Sequence, residues 1–168
     1  NGWSWKKLHK EILLSATYRQ TAHTEPSPKV RALDPTNKYL WRFCPRRLDA
    51  EQVRDAMLAA SGELDFQAGG PAEDANSTRR SIYTRKKRNS QNELLRSLDA
   101  PAGFSSTAER QSTTTPTQAL LLMNGDWIVA RARKLAQRAR AIDDAWLLTL
   151  GRAPTPRERE TADAFFRK

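Results

Sequence analysis

The residues able to do chemistry in this chain are few, and their spacing limits what they can do. There is one cysteine, Cys44, and there are two histidines, His9 and His23. Covalent haem attachment needs Cys-x-x-Cys-His, because two thioethers fix the ring while the histidine ligates the iron, and a lone thiol cannot supply it. Zinc needs three or four converging Cys, His or carboxylate ligands, yet His9 and His23 occur without His-Glu-x-x-His or paired cysteines. No metal and no cofactor is therefore expected in this segment. Cys44, between Phe43 and Pro45, reads as a small apolar filler, and His9 as a half-buried side chain with a local hydrogen bond.

Nucleophilic hydrolysis fares no better. Ser112-Thr113-Thr114-Thr115 is rich in hydroxyls, but no histidine accompanies it and Gly-x-Ser-x-Gly is absent, so helix capping explains it. Asp143 and Asp144 are adjacent and diverge by about 100° on a helix, which is wrong for a paired acid and base. Gly69-Gly70-Pro71 lacks the lysine and spacing of a phosphate-binding loop. No catalytic residue is assigned.

The cations carry more direction. Lys and Arg number 29 against 19 Asp and Glu, a formal charge of +10. Arg131, Lys134 and Arg138 recur at i, i+3 and i+7 on a predicted helix, beside Arg133 and Arg140, opposite a stripe of Ile128, Ala132, Leu135, Ala136 and Ala139. This spacing predicts an exposed cationic ridge. A second cluster, Arg79, Arg80, Arg85, Lys86, Lys87 and Arg88, surrounds Tyr83, and cations interleaved with an aromatic can track phosphates and stack a base. These residues are the candidate anion-binding set. The competing reading is a solvated helix face and a charged edge segment; no nucleic-acid motif accompanies the charge, so nucleic acid is the disfavoured partner. Arg46, Arg47 and Asp49 precede or cap a helix and Arg19 ends another, so together with Arg54 and Asp55 they form a candidate Arg–carboxylate network locking loops onto helices.

The elements that must position these groups are mostly helices. Ser4 caps a helix expected to run to about Gln20. Asp49, with Gln52 at N3, starts a second whose apolar stripe is Val53, Ala56, Met57 and Ala60, and Gly62 stops it. Ser90-Gln91-Asn92-Glu93, Thr115-Pro116-Thr117-Gln118 and Thr155-Pro156-Arg157-Glu158 each precede apolar residues, and in the last two proline sits at N1. Further helices are predicted from about Trp127 to Arg140 and around 145–150. Residues 21–47 hold Pro26, Pro28, Pro35 and Pro45 and read as a connector with a turn at Asp34-Pro35-Thr36-Asn37, whereas 79–85 alternate as a short extended segment. The fold expected is mainly α, an irregular helical bundle with long ordered loops and at most one short β hairpin. Its 38% hydrophobic content and five tryptophans suit one domain over residues 1–168 with a lean core. No stretch approaches the ~18 apolar residues of a membrane span. The chain begins without Met or a signal-peptide layout and reads as an excerpt of a larger multidomain protein.

The order of motifs also resembles a known family. Trp3-Ser4-Trp5-Lys6-Lys7-Leu8-His9-Lys10 with Ser15-Ala16-Thr17-Tyr18-Arg19-Gln20 is followed by Asp34-Pro35-Thr36-Asn37, Leu40-Trp41-Arg42 and Pro45-Arg46-Arg47-Leu48. Arg79-Arg80-Ser81-Ile82-Tyr83, Asp99-Ala100-Pro101, Thr113-Thr114-Thr115-Pro116-Thr117-Gln118-Ala119-Leu120 and Leu150-Gly151-Arg152 come after, in the same sequence. This series is similar to the uncharacterised C-terminal domain of large planctomycete proteins that carry a cytochrome c-like domain. Arg85-Lys86-Lys87-Arg88-Asn89 is more basic than that pattern. The resemblance implies an exported, cell-envelope or periplasmic multidomain protein with haem c in an upstream domain, and it brings no catalytic residues. On that basis the leading expectation is a non-catalytic accessory module that binds upstream domains of its own chain, a redox partner or an anionic polymer. The alternatives are a basic nucleic-acid-binding module, or part of an enzyme whose site is shared with an upstream domain.

Overall fold

A computed structural model describes residues 2–22, 25–87, 90–103 and 108–167. The protein is mainly helical, with isolated β-bridges and no sheet among the described residues. The helices are α1 (Trp5–Leu14), α2 (Pro28–Leu33), α3 (Ala50–Ser61), α4 (Glu93–Ser97), α5 (Pro116–Asn124), α6 (Asp126–Arg138), α7 (Ile142–Leu150) and α8 (Pro156–Phe166), with a 3₁₀ turn at Ser81–Tyr83. They fall into two compact units, Asn1–Arg47 and Leu48–Lys168.

In the first unit Ser4 caps α1 as expected, but the helix stops at Leu14 rather than near Gln20. The Ser15 hydroxyl donates to the Ile12 carbonyl at 2.8 Å and accepts from the Tyr18 N–H at 3.2 Å, a local arrangement that replaces the next helical turn. The stretch expected to be only a connector contains α2, started by Ser27 at N-cap and Pro28 at N1. After it, the buried Asp34 carboxylate accepts from the N–H groups of Lys38 and Tyr39, both at 2.8 Å, and the Asp34 carbonyl accepts from Trp41 Nε1. Asn37, at φ +58°, clips the returning chain: its amide donates to the Arg42 carbonyl and its oxygen accepts from the Arg42 N–H. Cys44 is exposed, not a core filler, and its Sγ accepts from Asn37 Nδ2.

The second unit is organised around α3, which packs on α4, α6, α7 and the 3₁₀ turn. Its apolar centre is Ala50, Leu94, Leu95 and Leu98, with Val53, Leu121, Trp127 and Ile128 against it. The α3 capping box at Asp49 and Gln52 and the left-handed Gly62 at φ +81° are where the spacing puts them, as are the boxes of α5 and α8. The buried face of α3 is rotated from the expected one and shares part of it. Its most buried row runs through Ala50, Arg54, Leu58 and Ser61; of the expected stripe Ala60 is buried, Val53 packs on the core, Met57 is half-buried and Ala56 is exposed. Helix α4 is capped by Asn92, within the expected start at Ser90–Glu93, and α7 begins at Ile142 instead of near 145. On α6, Ile128, Leu135 and Ala139 are half-buried, while Ala132 and Ala136 are exposed. Residues 79–85 are not a strand: bridge residues Arg79 and Thr84 flank the 3₁₀ turn.

The α5–α6 corner depends on a missing side chain. A Cβ at Gly125 would lie 2.7 Å from the Leu121 carbonyl oxygen and 3.1 Å from Leu121 Cδ1. Gly125→Ala should therefore open this corner and lower stability by about 1–3 kcal/mol, read by urea unfolding of the purified chain.

Candidate anion-binding cleft

Four residues into α3 the sequence places an arginine on the buried face, where an apolar residue would ordinarily sit. Arg54 is 1% exposed. Its guanidinium donates to the carbonyls of Ala75, Ser77 and Arg79, to the Ser81 hydroxyl at 3.1 Å and to Asp55 at 3.4 Å. Asp55 also accepts from the Ser81 N–H at 2.8 Å and its hydroxyl at 2.6 Å. Burial is the largest influence on Arg54 and lowers its pKa, and Asp55 opposes that shift.

A second guanidinium repeats the device. Arg79, 4% exposed, donates to the carbonyls of Gln67, Gly69 and Pro71 and to Glu73 at 3.0 Å. It lies 4.0 Å from the Tyr83 ring centroid, and the Tyr83 hydroxyl accepts from the Gly69 N–H. The carbonyls held are those of residues 67, 69 and 71 on Arg79, then 75, 77 and 79 on Arg54. The chain that carries them is bent rather than extended: Gly69 and Gly70 have φ of +77° and +83°, and the Ser77 N–H closes a turn on the Asp74 carbonyl, so the two guanidiniums gather carbonyls that no ladder aligns. The excursion between α3 and the 3₁₀ turn is thus shaped by two cations rather than by a sheet.

These contacts redistribute the candidate anion-binding residues. Arg79 and Tyr83 are occupied inside the fold. Arg131 is half-buried, pairs with Glu63 through two contacts at 3.1 and 3.3 Å, and stacks 4.5 Å from the Trp127 ring. Arg138 donates to the Ala59 and Ala60 carbonyls at the C-terminal end of α3, a favourable place for a cation. Of the expected ridge, Lys134 and Arg138 are exposed, with Arg133 and Arg140 beside them, and Lys134 holds no carbonyl or carboxylate among the described residues. Arg80, Arg85, Lys86 and Lys87 are exposed, and Arg88 lies outside the described residues. Of the expected Arg–carboxylate network, Arg54 and Asp55 come together. Asp49 caps α3 with Arg110 3.9 Å away, and Arg19, Arg46 and Arg47 are exposed residues of the first unit.

Three of the exposed cations converge on a cleft of about 490 Å³ in the second unit. Its walls are residues 74–76, 84–87, 90–92 and 100–103, with Leu95, Ser81 and Glu51 below. Asn76 is held by its N–H donating to Asp74 Oδ1, and Gln91 Nε2 fixes the opposite wall by donating to the Pro101 carbonyl at 2.8 Å. Asp99, at φ +65°, steadies the chain beyond that wall by accepting from the Thr113 N–H and hydroxyl. Arg85 also donates to the Ala72 carbonyl, and Lys86 lies 3.8 Å from Glu51. Burial would raise the Glu51 carboxyl, but the Arg110 hydrogen bond at 2.6 Å and the charges of Arg110 and Lys86 hold it below its ordinary value. Glu51 is consequently ionised and neutralised within the fold, so the lip is cationic. Sequence reasoning placed Arg85, Lys86 and Lys87 among the anion-binding candidates, but missed Glu51, Arg110, Gln91 and the cleft, whose walls come from four separate segments. Among the described residues no cluster of three or more His, Cys, Asp or Glu is placed to hold a metal ion.

Comparison with known proteins gives a family. Residues 1–166 match the family described as "PSD1: Protein of unknown function (DUF1553)", so the chain belongs to it. No curated protein and no solved structure matches the chain.

Arg54→Met should cost about 3–5 kcal/mol, because three carbonyls and Asp55 lose a buried partner at once; denaturant unfolding gives the loss, and amide exchange should quicken over residues 67–79. For Glu51 the folded pKa lies below the unfolded value of 4.5, so its contribution is complete above that pH and lost as pH falls through the lower folded value. Unfolding free energies at pH 7 and pH 3 should show that loss, on the order of 0.5–1 kcal/mol, and Arg110→Ala should remove most of the difference assigned to Glu51.

Proposed function

We propose that this member of the DUF1553 family is a non-catalytic interaction module whose second unit binds an anionic partner through the cleft lip. The observation that carries the reading is the division of the cations. Arg54, Arg79, Arg131 and Arg138 are engaged by carbonyls and carboxylates, whereas Arg85, Lys86 and Lys87, the first holding the Ala72 carbonyl and the second 3.8 Å from Glu51, are exposed in succession along an open cleft. Consecutive exposed cations beside a concave surface bind acidic groups whose counterions are released on contact. The favoured partner is an anionic polymer or the acidic face of a redox partner or upstream domain. The order of sequence motifs supports placing the module in an exported protein with a cytochrome c-like domain upstream. Covalent haem staining of the full-length protein recovered from the envelope tests that placement.

Binding to dextran sulfate should weaken linearly as the logarithm of salt rises, and Lys86→Glu with Lys87→Glu should weaken it by more than ~10-fold at low salt. Arg133→Glu with Lys134→Glu should have a smaller effect. Fluorescence anisotropy of labelled polymer reads both. Equal loss from the two pairs would move the surface off the cleft, and tighter binding to duplex DNA than to dextran sulfate at equal salt would replace the reading with a nucleic-acid module.

A further inference from the structure

The cleft is more than a charged edge, and its interior chemistry narrows what it can take. Its volume, about 490 Å³, falls in the range of small-ligand sites. Leu95, Ala100 and Pro101 supply an apolar side, and Leu95 belongs to the buried core, so this side is anchored. Gln91 is committed to the Ala100 and Pro101 carbonyls, which fixes the far wall rather than leaving it to adapt.

The charges within reach are of both signs but unequal in availability. Glu51 is neutralised by Arg110 and Lys86. Asp74 is exposed and accepts a backbone N–H from Asn76 through Oδ1. Arg85 and Lys87 are exposed and line the same cleft. A ligand with a full positive charge would meet these cations, so the acidic side suits neutral hydroxyl donors better than an ammonium group. An apolar wall, a carboxylate that accepts hydroxyls and a cationic lip together fit a compact, hydroxylated body bearing one anionic group.

We propose that the cleft is a binding site for a polyhydroxylated small anion, of the sugar-acid or sugar-phosphate class. Arg85 and Lys87 pair with the anionic group, Asp74 accepts from hydroxyls, and the Leu95–Pro101 side packs against the body of the ligand. The proposal rests on the reading of the lip as an anion-binding surface and assigns to the cleft a ligand of defined size and chemistry.

Calorimetric titration of the whole chain with glucuronate, glucose 6-phosphate, glucose and inorganic phosphate tests it. Glucuronate or glucose 6-phosphate should bind, and whichever binds more tightly identifies a carboxylate or a phosphate as the preferred anion. Glucose and inorganic phosphate should each bind at least ~10-fold more weakly, since each lacks one half of the recognised chemistry. Lys87→Gln should weaken the charged sugar by ~10-fold, and Asp74→Asn should weaken it while leaving inorganic phosphate unchanged. Ala102→Trp, which fills an exposed position on the cleft wall, should abolish sugar binding with an unchanged thermal midpoint. Failure of both charged sugars to bind at millimolar concentration, while dextran sulfate still binds, overturns the cleft proposal and leaves the interaction surface standing. Loss of both kinds of binding overturns the two together. Equal affinity for inorganic phosphate and glucose 6-phosphate would likewise overturn it, because the sugar would contribute nothing.

Discussion

The chain between α3 and the 3₁₀ turn is referred to the Arg54 guanidinium. Moving a guanidinium to 1% exposure is costly, and the offset comes less from opposite charge than from dipoles. One carboxylate, Asp55, lies 3.4 Å away and is itself 23% exposed, whereas three backbone carbonyls and a hydroxyl are aimed at the planar group. Those carbonyls would otherwise be orphaned, since the segment that carries them pairs through isolated bridges and not through a ladder. The arginine and the loop therefore solve each other's problem. A charged side chain finds enough acceptors to be buried, and a chain without a sheet finds a partner for its main-chain oxygens.

The same solution sets where the cleft can be. Arg54 fixes the carbonyls of Ala75, Ser77 and Arg79, and Ala75 lies on the cleft wall. Arg79 fixes the segment from 67 to 71 and stacks on Tyr83, immediately before Thr84 and Arg85 of the wall. Two buried cations thus hold the backbone that presents three exposed ones. A wall placed in this way is held where it faces the core and exposed at its charged tips, which is the arrangement that favours recognition by reach of long side chains over a fixed frame.

What was legible in the sequence was local. The starts at Asp49, Thr115 and Thr155 are written in residues three positions apart, so the capping boxes could be read directly. Ser27-Pro28 carries the same signal as Thr115-Pro116, but it lies among prolines without an apolar period and encodes only six residues, so α2 was hidden by its surroundings. The burial of Arg54 on α3 is hidden for a different reason. Hydrophobic periodicity treats arginine as a solvent marker, and no side-chain pattern reports that the acceptors burying Arg54 are backbone oxygens 21 to 25 residues away. The cleft residues were partly visible as a basic run, yet the run alone said nothing of Leu95, Gln91 or Pro101, which reach the site only through tertiary packing.

The sorting of arginine from lysine makes the net charge interpretable. Arg54, Arg79, Arg131 and Arg138 share planar geometry with several diverging donors, and each uses it on more than one acceptor. At Arg54 and Arg79 a lysine ammonium could not span the alternate carbonyls that the planar guanidinium reaches, so these two sites demand arginine for shape rather than for charge. At the cleft the demand is reversed: Lys86 and Lys87 are exposed point charges suited to an acidic group arriving from solvent. Arg85 joins the two populations, with one donor on the Ala72 carbonyl and its position on the open wall. An excess of +10 therefore overstates the affinity for anions, because a share of it is already satisfied inside the fold. The charge that can act on a partner is what remains where the packing leaves an opening.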